Sequence, residues 1–344
     1  MFLQHGGQLL SIAEQYNIPA EQWLDLSTGI APYHYPIPSI PSSVWTQLPQ
    51  ANSALLASAA TYYKCPVLLP INGSQSVIQR LPQLYLHEKP SGVNSSLGVV
   101  RQPSAISVYL PARGYKEHEK AWRKTGVNII YYHDIPSAGQ LNKHCVVVLI
   151  NPNNPTGELV SKERVLALLQ AVKQRQGLLI VDEAFMDAVQ ADQSVIAYTQ
   201  CEHLIVLRSV GKFFGLAGLR LGFVAACDEW LAAIAAEQGP WSVSGPAQYV
   251  GQKALNDTTW QQQQRLRLRS LSLRLSQLLK SVFNVQSKGT ALFQTIHLAN
   301  AENIYDKLCR QAVYARLTDD ERALRFGIPA ENNFPRLKQA LHNI

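Results

Sequence analysis

Ser209-Val-Gly-Lys-Phe-Phe-Gly-Leu-Ala-Gly-Leu-Arg-Leu-Gly222 is the stretch from which the fold of this chain is read. It follows Leu204-Ile205-Val206-Leu207, a short apolar run with the character of a buried strand. Lys212 stands among Phe213, Phe214 and Leu216, surroundings that lower an amine's pKa and make it nucleophilic. Ser209 and Arg220 flank it with a hydroxyl and a guanidinium, both good phosphate ligands. A nucleophilic lysine beside a phosphate cradle suits pyridoxal phosphate, which needs a Schiff base and an anchor for its phosphate. The plainer alternative is a strand, a turn and one surface lysine.

Two upstream stretches repeat the pattern of strand followed by polar turn. Val146-Val147-Val148-Leu149-Ile150 runs into Asn151-Pro-Asn-Asn-Pro-Thr-Gly157, and Leu178-Leu179-Ile180-Val181 runs into Asp182-Glu-Ala-Phe185. Open α/β sheets place ligands at the carboxyl ends of parallel strands. Asp182 there suits a pyridinium nitrogen, which it would keep protonated, and Asn154 suits the phenolic oxygen of the same ring.

In this order and spacing the three motifs resemble the fold-type I pyridoxal-phosphate enzymes of the class I/II aminotransferase family. The resemblance implies Lys212 as the lysine that holds pyridoxal 5'-phosphate, with Asp182 on the ring nitrogen. It places Asn154 on the phenolic oxygen, and Ser209 with Arg220 on the phosphate. Asn72-Gly73-Ser74-Gln75 looks like a tight turn opening a helix, a natural anion site. The family adds Gly73, Ser74 and Gln75 to the phosphate contacts, whereas on local grounds the turn is an ordinary serine N-cap. Family members carry a ring-stacking aromatic near Gly114-Tyr-Lys-Glu-His118. His118 is the expected residue, with Tyr115 as the alternative and a surface histidine as the plainer reading.

The expected fold class is α/β: a large domain with a mostly parallel sheet over residues 40–230, and a small α+β domain built from residues 1–39 and 231–344. A length of 344 residues suits that division. The chain is 47% hydrophobic and 16% charged, as ordinary globular proteins are. No apolar run reaches the ~18 residues of a membrane span, and the start, Met1-Phe-Leu-Gln-His-Gly-Gly, lacks the pattern of a signal peptide. Five scattered cysteines, Cys65, Cys145, Cys201, Cys227 and Cys309, fit reduced thiols in a cytoplasm and argue against a structural metal. The net charge of +7 comes from 31 basic and 24 acidic residues. Its one cluster, Arg265, Arg267, Arg269 and Arg274, falls on an amphipathic helix whose apolar positions are Leu268, Leu271, Leu275, Leu278 and Val282. That is a solvated face and not a nucleic-acid site. Glu88 to Arg101 reads as a polar loop.

His5-Gly6-Gly7-Gln8 followed by Trp23-Leu-Asp-Leu-Ser27 resembles one branch of the family, the threonine-phosphate decarboxylases of cobalamin biosynthesis. That branch implies Arg325 on the substrate carboxylate, Arg316 on the substrate phosphate, and His5 with Gly6 closing over the phosphate. Surface or ion-paired arginines are the plainer reading. Departures accompany the likeness. Gln8 and Gly29 stand where asparagines are common, and Phe185 replaces a tyrosine that bonds the cofactor. Trp45-Thr-Gln-Leu48-Pro49 lacks a tyrosine that reaches the neighbouring subunit's site. The expected activity is decarboxylation of O-phospho-L-threonine by a cytoplasmic homodimer, without metal, nucleic acid or membrane. The alternatives are an aminotransferase of the histidinol-phosphate type and a catalytically silent cofactor-binding protein.

Overall fold

A computed structural model describes residues 6–86, 102–189 and 192–344. His5 and the loop expected over Glu88 to Arg101 lie outside the described residues. The first strand, β1 (Leu24–Asp25), follows helix α1 (Leu9–Tyr16). Helices α2 (Ser42–Thr46) and α3 (Ser53–Tyr63) lead to β2 (Leu69–Ile71) and α4 (Gly73–Leu86). Next come β3 (Ser107–Pro111), α5 (Lys116–Arg123), β4 (Asn128–Tyr132), β5 (Val146–Ile150), α6 (Lys162–Gln174) and β6 (Leu178–Asp182). The lysine stretch supplies β7 (Leu204–Ser209), α7 (Val210–Phe213) and β8 (Gly222–Ala225).

These strands make a seven-stranded sheet in the order β2-β8-β7-β6-β5-β3-β4, in which β8 alone runs against the others. Side chains alternate across a strand, and both faces here are covered, so the strands are apolar throughout instead of alternating. Val147, Leu149 and Leu179 enter one core with Leu55 and Ala59 of α3 and Val165 and Leu168 of α6. Val146, Val148 and Ile180 enter the other with Val77 and Leu81 of α4 and Trp122 of α5.

Beyond β8 run α8 (Asp228–Gln238), α9 (Gly245–Asn256) and α10 (Thr258–Phe283), of which α8 and α9 still pack on the large sheet. In α10, Asp257 caps the Trp260 N–H at 2.9 Å, and Leu268, Leu271, Leu275 and Leu279 form the buried stripe. Leu279 is the fourth fully buried position, and Leu278 and Val282 pack partly buried against the same core. Arg267, Arg269 and Arg274 are exposed, as a basic outer face requires. Gln261 and Gln264 are buried because they serve as backbone staples: the Gln264 amide donates to Tyr33 O at 2.8 Å and to Phe213 O beside Lys212.

The C-terminal part adds β9 (Lys288–Thr290), β10 (Phe293–His297), α11 (Ala301–Cys309), β11 (Val313–Tyr314), β12 (Arg316–Leu317), β13 (Ala323–Gly327) and α12 (Phe334–His342). A four-stranded antiparallel sheet, β12-β13-β10-β9, buries Ile296, Leu324 and Phe326 against α10, α11 and α12. Leu24 and Leu26 join that core from the other end of the chain, and β1 pairs in parallel with β11. Two contacts bring the small sheet over the large one. The Thr295 hydroxyl donates to Pro155 O at 2.6 Å, and Gly157 (φ +74°) lies against Gly289, where an added Cβ would stand 2.3 Å from Cα. Among the described residues, no helix is long and apolar enough to cross a membrane.

Candidate active site

The carboxyl ends of the neighbouring strands β3, β5, β6 and β7 supply the site, with the start of α4 beside them. Asp182 ends β6 and is paired in register with Ile150 and Leu207. The turn after β5 begins next to it, since Asn151 N–H donates to Asp182 O at 2.9 Å. Lys212 follows β7 in the short helix α7. Burial, then the guanidinium groups of Arg325 and Arg220, push its amine down from 10.5 to about 8. Its Nζ lies 5.8 Å from the ring centre of Phe185. Phe185 packs edge-on against Phe293, and an added Cβ on Gly29 would meet its ring at 2.6 Å. Where a tyrosine would offer a hydroxyl, Lys212 therefore faces an apolar wall.

The phosphate corner forms where α4 meets the turn after α7. Gly73 opens α4 at φ +67°, and a Cβ there would stand 2.7 Å from Arg220 Nη2. Only glycine lets the exposed Arg220 guanidinium lie against the helix start, beside the first-turn amides of Gly73, Ser74 and Gln75. Arg220 itself takes the left-handed conformation, φ 52°. Ser209, buried at the N-cap of α7, makes no capping hydrogen bond. Gln75 differs from the expectation in one respect. Its side-chain amide donates to Glu117 at 2.6 Å and accepts from Tyr115 at 3.1 Å, so its free contribution to this corner is its backbone.

His118 is buried with its Nε2 2.9 Å from Asp182 Oδ2. Asp182 Oδ1 accepts the N–H of Ala184 at 3.1 Å. His118, expected as the ring-stacking residue, is thus bonded to the carboxylate of Asp182. Tyr115, one helical turn earlier and perpendicular to His118 at 6.3 Å, is the aromatic that lies within the electrostatic reach of Asp182, Arg220 and Arg316 together.

Arg316 and Arg325 are directly opposed across β12 and β13, with Thr295 next in the same row. Like charges so placed repel, and both residues are buried. Arg325 Nη1 donates to Asn154 Oδ1 at 2.5 Å and Nη2 to Ser27 O. An arginine donates only, so it must face the amide oxygen of Asn154 and leaves Nδ2 as that residue's donor. Arg325 has no carboxylate partner among the described residues, and burial followed by Arg316 pushes it down to about 9. Among the described residues Arg316 has one acidic partner, Asp319, at 3.7 Å. The Nε atoms of both are buried without a partner among the described residues. Two buried, under-compensated guanidinium groups with orphaned donors form an anion site.

Gly6 lies against Ser27, where a Cβ would stand 2.1 Å from the carbonyl oxygen. Gly7 N–H donates to Ser27 Oγ at 2.8 Å. The carbonyl of Ser27 thus meets both the N-terminal segment and Arg325. Below the site, a buried network escaped sequence reading: Arg208 bonds Glu183 at 2.6 Å and also Asp187. Burial opposes its charge, but Asp187 and Glu183 outweigh that and raise its pKa. An arginine inside an apolar strand, with two carboxylates just after the preceding strand, is the signal that would have revealed it. No cluster of metal-ligating side chains occurs among the described residues.

The donor set fits pyridoxal phosphate: a depressed lysine amine, a buried carboxylate, an amide donor and a phosphate corner. Residues 91–344 match the family Aminotransferase class I and II. The threonine-phosphate decarboxylase of Pseudomonas aeruginosa is 40% identical over 340 residues, covering 98% of this chain and 97% of the relative. That of a Sinorhizobium species is 34% identical, covering 92% of this chain and 90% of the relative. Among solved structures, the histidinol-phosphate aminotransferase of Sinorhizobium meliloti in complex with pyridoxal-5'-phosphate superposes with a TM-score of 0.81. The match covers 100% of this chain and 95% of that one at 18% identity, a likeness of fold.

Proposed function

The chain belongs to the aminotransferase class I and II family, and from that premise we propose that it is a pyridoxal-phosphate enzyme that decarboxylates O-phospho-L-threonine. The product is 1-aminopropan-2-ol phosphate, a unit we assign to the cobalamin side chain. When bound, the cofactor supplies an electron sink for the pair released from the broken bond. Lys212 would hold it, Asp182 would keep its ring nitrogen protonated, and Asn154 Nδ2 would donate to its phenolic oxygen. Ser209, Arg220 and the amides of Gly73, Ser74 and Gln75 hold its phosphate. His118 fixes the carboxylate of Asp182, and Tyr115 provides the stacking face.

One observation carries the choice of reaction: the opposed, buried Arg316–Arg325 pair with its orphaned donors. Two cations side by side suit a substrate with two anionic groups. Arg325 takes the carboxylate, bidentately if it releases Asn154 or Ser27, and Arg316 takes the phosphate. Anchoring both ends would fix rotation about the bond between the substrate nitrogen and Cα, and so which bond to Cα is placed for cleavage. Gly6, with His5 before it, closes over the phosphate end. Phe185 keeps the lysine side of the site dry. The aminotransferase alternative needs an oxo-acid acceptor. Purified enzyme given O-phospho-L-threonine alone is expected to release carbon dioxide and an amine phosphate. Product that forms only with 2-oxoglutarate, together with glutamate, would establish transamination instead.

The enzyme works as a homodimer in the cytoplasm. Five free cysteines support the compartment. Support for the dimer comes from α2, which lies on the start of α9, where a Cβ on Gly245 would stand 2.5 Å from Val44 O. A groove of about 310 Å³ lies there, and Trp45, Leu48 and Trp241 nearby in the chain are more than half exposed.

A further inference from the structure

Glu117 is a buried carboxylate that the reaction does not use. It stands in the first turn of α5, where the helix dipole favours its charge. Its Oε2 accepts the 2.6 Å bond from Gln75 Nε2, and Oε1 lies 3.6 Å from the half-exposed Lys120 ammonium. A carboxylate only accepts, so the amide nitrogen of Gln75 must face it. The amide oxygen then faces the Tyr115 hydroxyl, which donates to it at 3.1 Å. Each group in this chain determines the polarity of the next, and the last is the aromatic within electrostatic reach of Asp182, Arg316 and Arg220. Burial, then Glu117 and Asp182, push the Tyr115 phenol up to about 12, so it stays a donor at working pH.

We propose that Glu117 is a positioning residue for the cofactor: by fixing the amide of Gln75 it fixes the hydroxyl of Tyr115, and so holds that ring as the wall on which the cofactor stacks. The inference rests on the cofactor reading above and adds a residue two steps removed from the ring. Replacing Glu117 with glutamine keeps the volume but allows two amide nitrogens to oppose each other. Gln75 then turns over and presents a donor to the tyrosine.

The test is a double-mutant cycle on pyridoxal-phosphate affinity, read in apo protein from the visible band as cofactor is titrated, with no substrate present. Glu117→Gln and Tyr115→Phe are each expected to weaken binding about tenfold, the scale of one hydrogen bond to a charged group. Because they act on one chain of contacts, the double variant should also lose about tenfold, not the roughly hundredfold of independent effects. Multiplying losses, or an unchanged affinity in Glu117→Gln, would overturn the proposal. If Glu117→Gln shows no cooperative thermal transition, Gln75→Leu replaces it in the same cycle with the same two outcomes. The readout does not depend on which reaction follows, so transamination would leave the proposal standing. Wild-type protein that binds no cofactor would overturn it together with the functional reading.

Discussion

Arg316→Met gives the cofactor-independent prediction with the clearest sign. Arg316 is buried opposite Arg325, its Nε has no partner, and its nearest carboxylate, on Asp319, is 3.7 Å away. Removing one member of a well-made buried ion pair costs about 3–5 kcal/mol of stability, because a charge is left alone. Here the charge already lacks a close partner and repels its neighbour, so the apo variant should be as stable as wild type or more stable. Substrate binding should show the opposite sign. Loss of a charge-assisted bond costs about 1.5–3 kcal/mol, or roughly 10- to 150-fold in affinity. Denaturant melts of apo protein measure the first quantity, and kcat/KM for O-phospho-L-threonine against L-threonine measures the second. The expected pattern is unchanged or raised stability, a large loss for the phosphorylated substrate and little change for threonine. Lower stability with equal loss for both substrates would make Arg316 a structural arginine and refute the reasoning.

Other perturbations follow from single contacts. Lys212 is depressed from 10.5 to about 8, so its nucleophilic neutral form grows as pH rises through about 8, and the rate of cofactor loading should rise and level off there. Between about 8 and 10.5 the unfolded chain binds more protons at this lysine, so apo stability should rise with pH relative to Lys212→Met; loading that keeps climbing to the ordinary lysine range would contradict this. Gly73→Ala sets a methyl 2.7 Å from Arg220 Nη2 at a positive φ. It should cost about 1–2 kcal/mol of stability and weaken pyridoxal-phosphate binding, whereas unchanged cofactor affinity would remove Arg220 from the phosphate corner. Trp45→Asp should convert a dimer to a monomer in light scattering, and an unaffected dimer would place the interface elsewhere.

The residues legible in the sequence were those whose chemistry is local. Lys212, Asp182 and Asn154 each directly follow an apolar strand, and the sheet order places those strand ends side by side. The opposition of Arg316 and Arg325 was not legible: the resemblance implies both arginines, but the hairpin register of β12 and β13 decides that the guanidinium groups meet. Gln75 and His118 were implied by the resemblance, and their contacts were not legible. Gln75 is turned from the phosphate by Glu117, which is 42 residues away, and His118 is taken by Asp182, which is 64 away. The pairing of β1 with β11 is of the same kind, because nothing local marks a partner hundreds of residues distant. Leu279 joins the buried stripe of α10, with Leu278 and Val282 partly buried beside it, because both spacings fit a helix and the packing partner decides the depth.

The fate of the hydrogen on the substrate's Cα tests the central claim most directly. Decarboxylation breaks the bond from Cα to the carboxylate and adds one solvent proton at Cα, so the original hydrogen stays. Transamination removes that hydrogen and leaves an oxo acid. O-Phospho-L-threonine deuterated at Cα, turned over in ordinary water and followed by NMR, is predicted to give an aminopropanol phosphate that keeps the deuterium and gains one proton. Deuterium lost to solvent, with an oxo-acid phosphate as the product, would contradict the account.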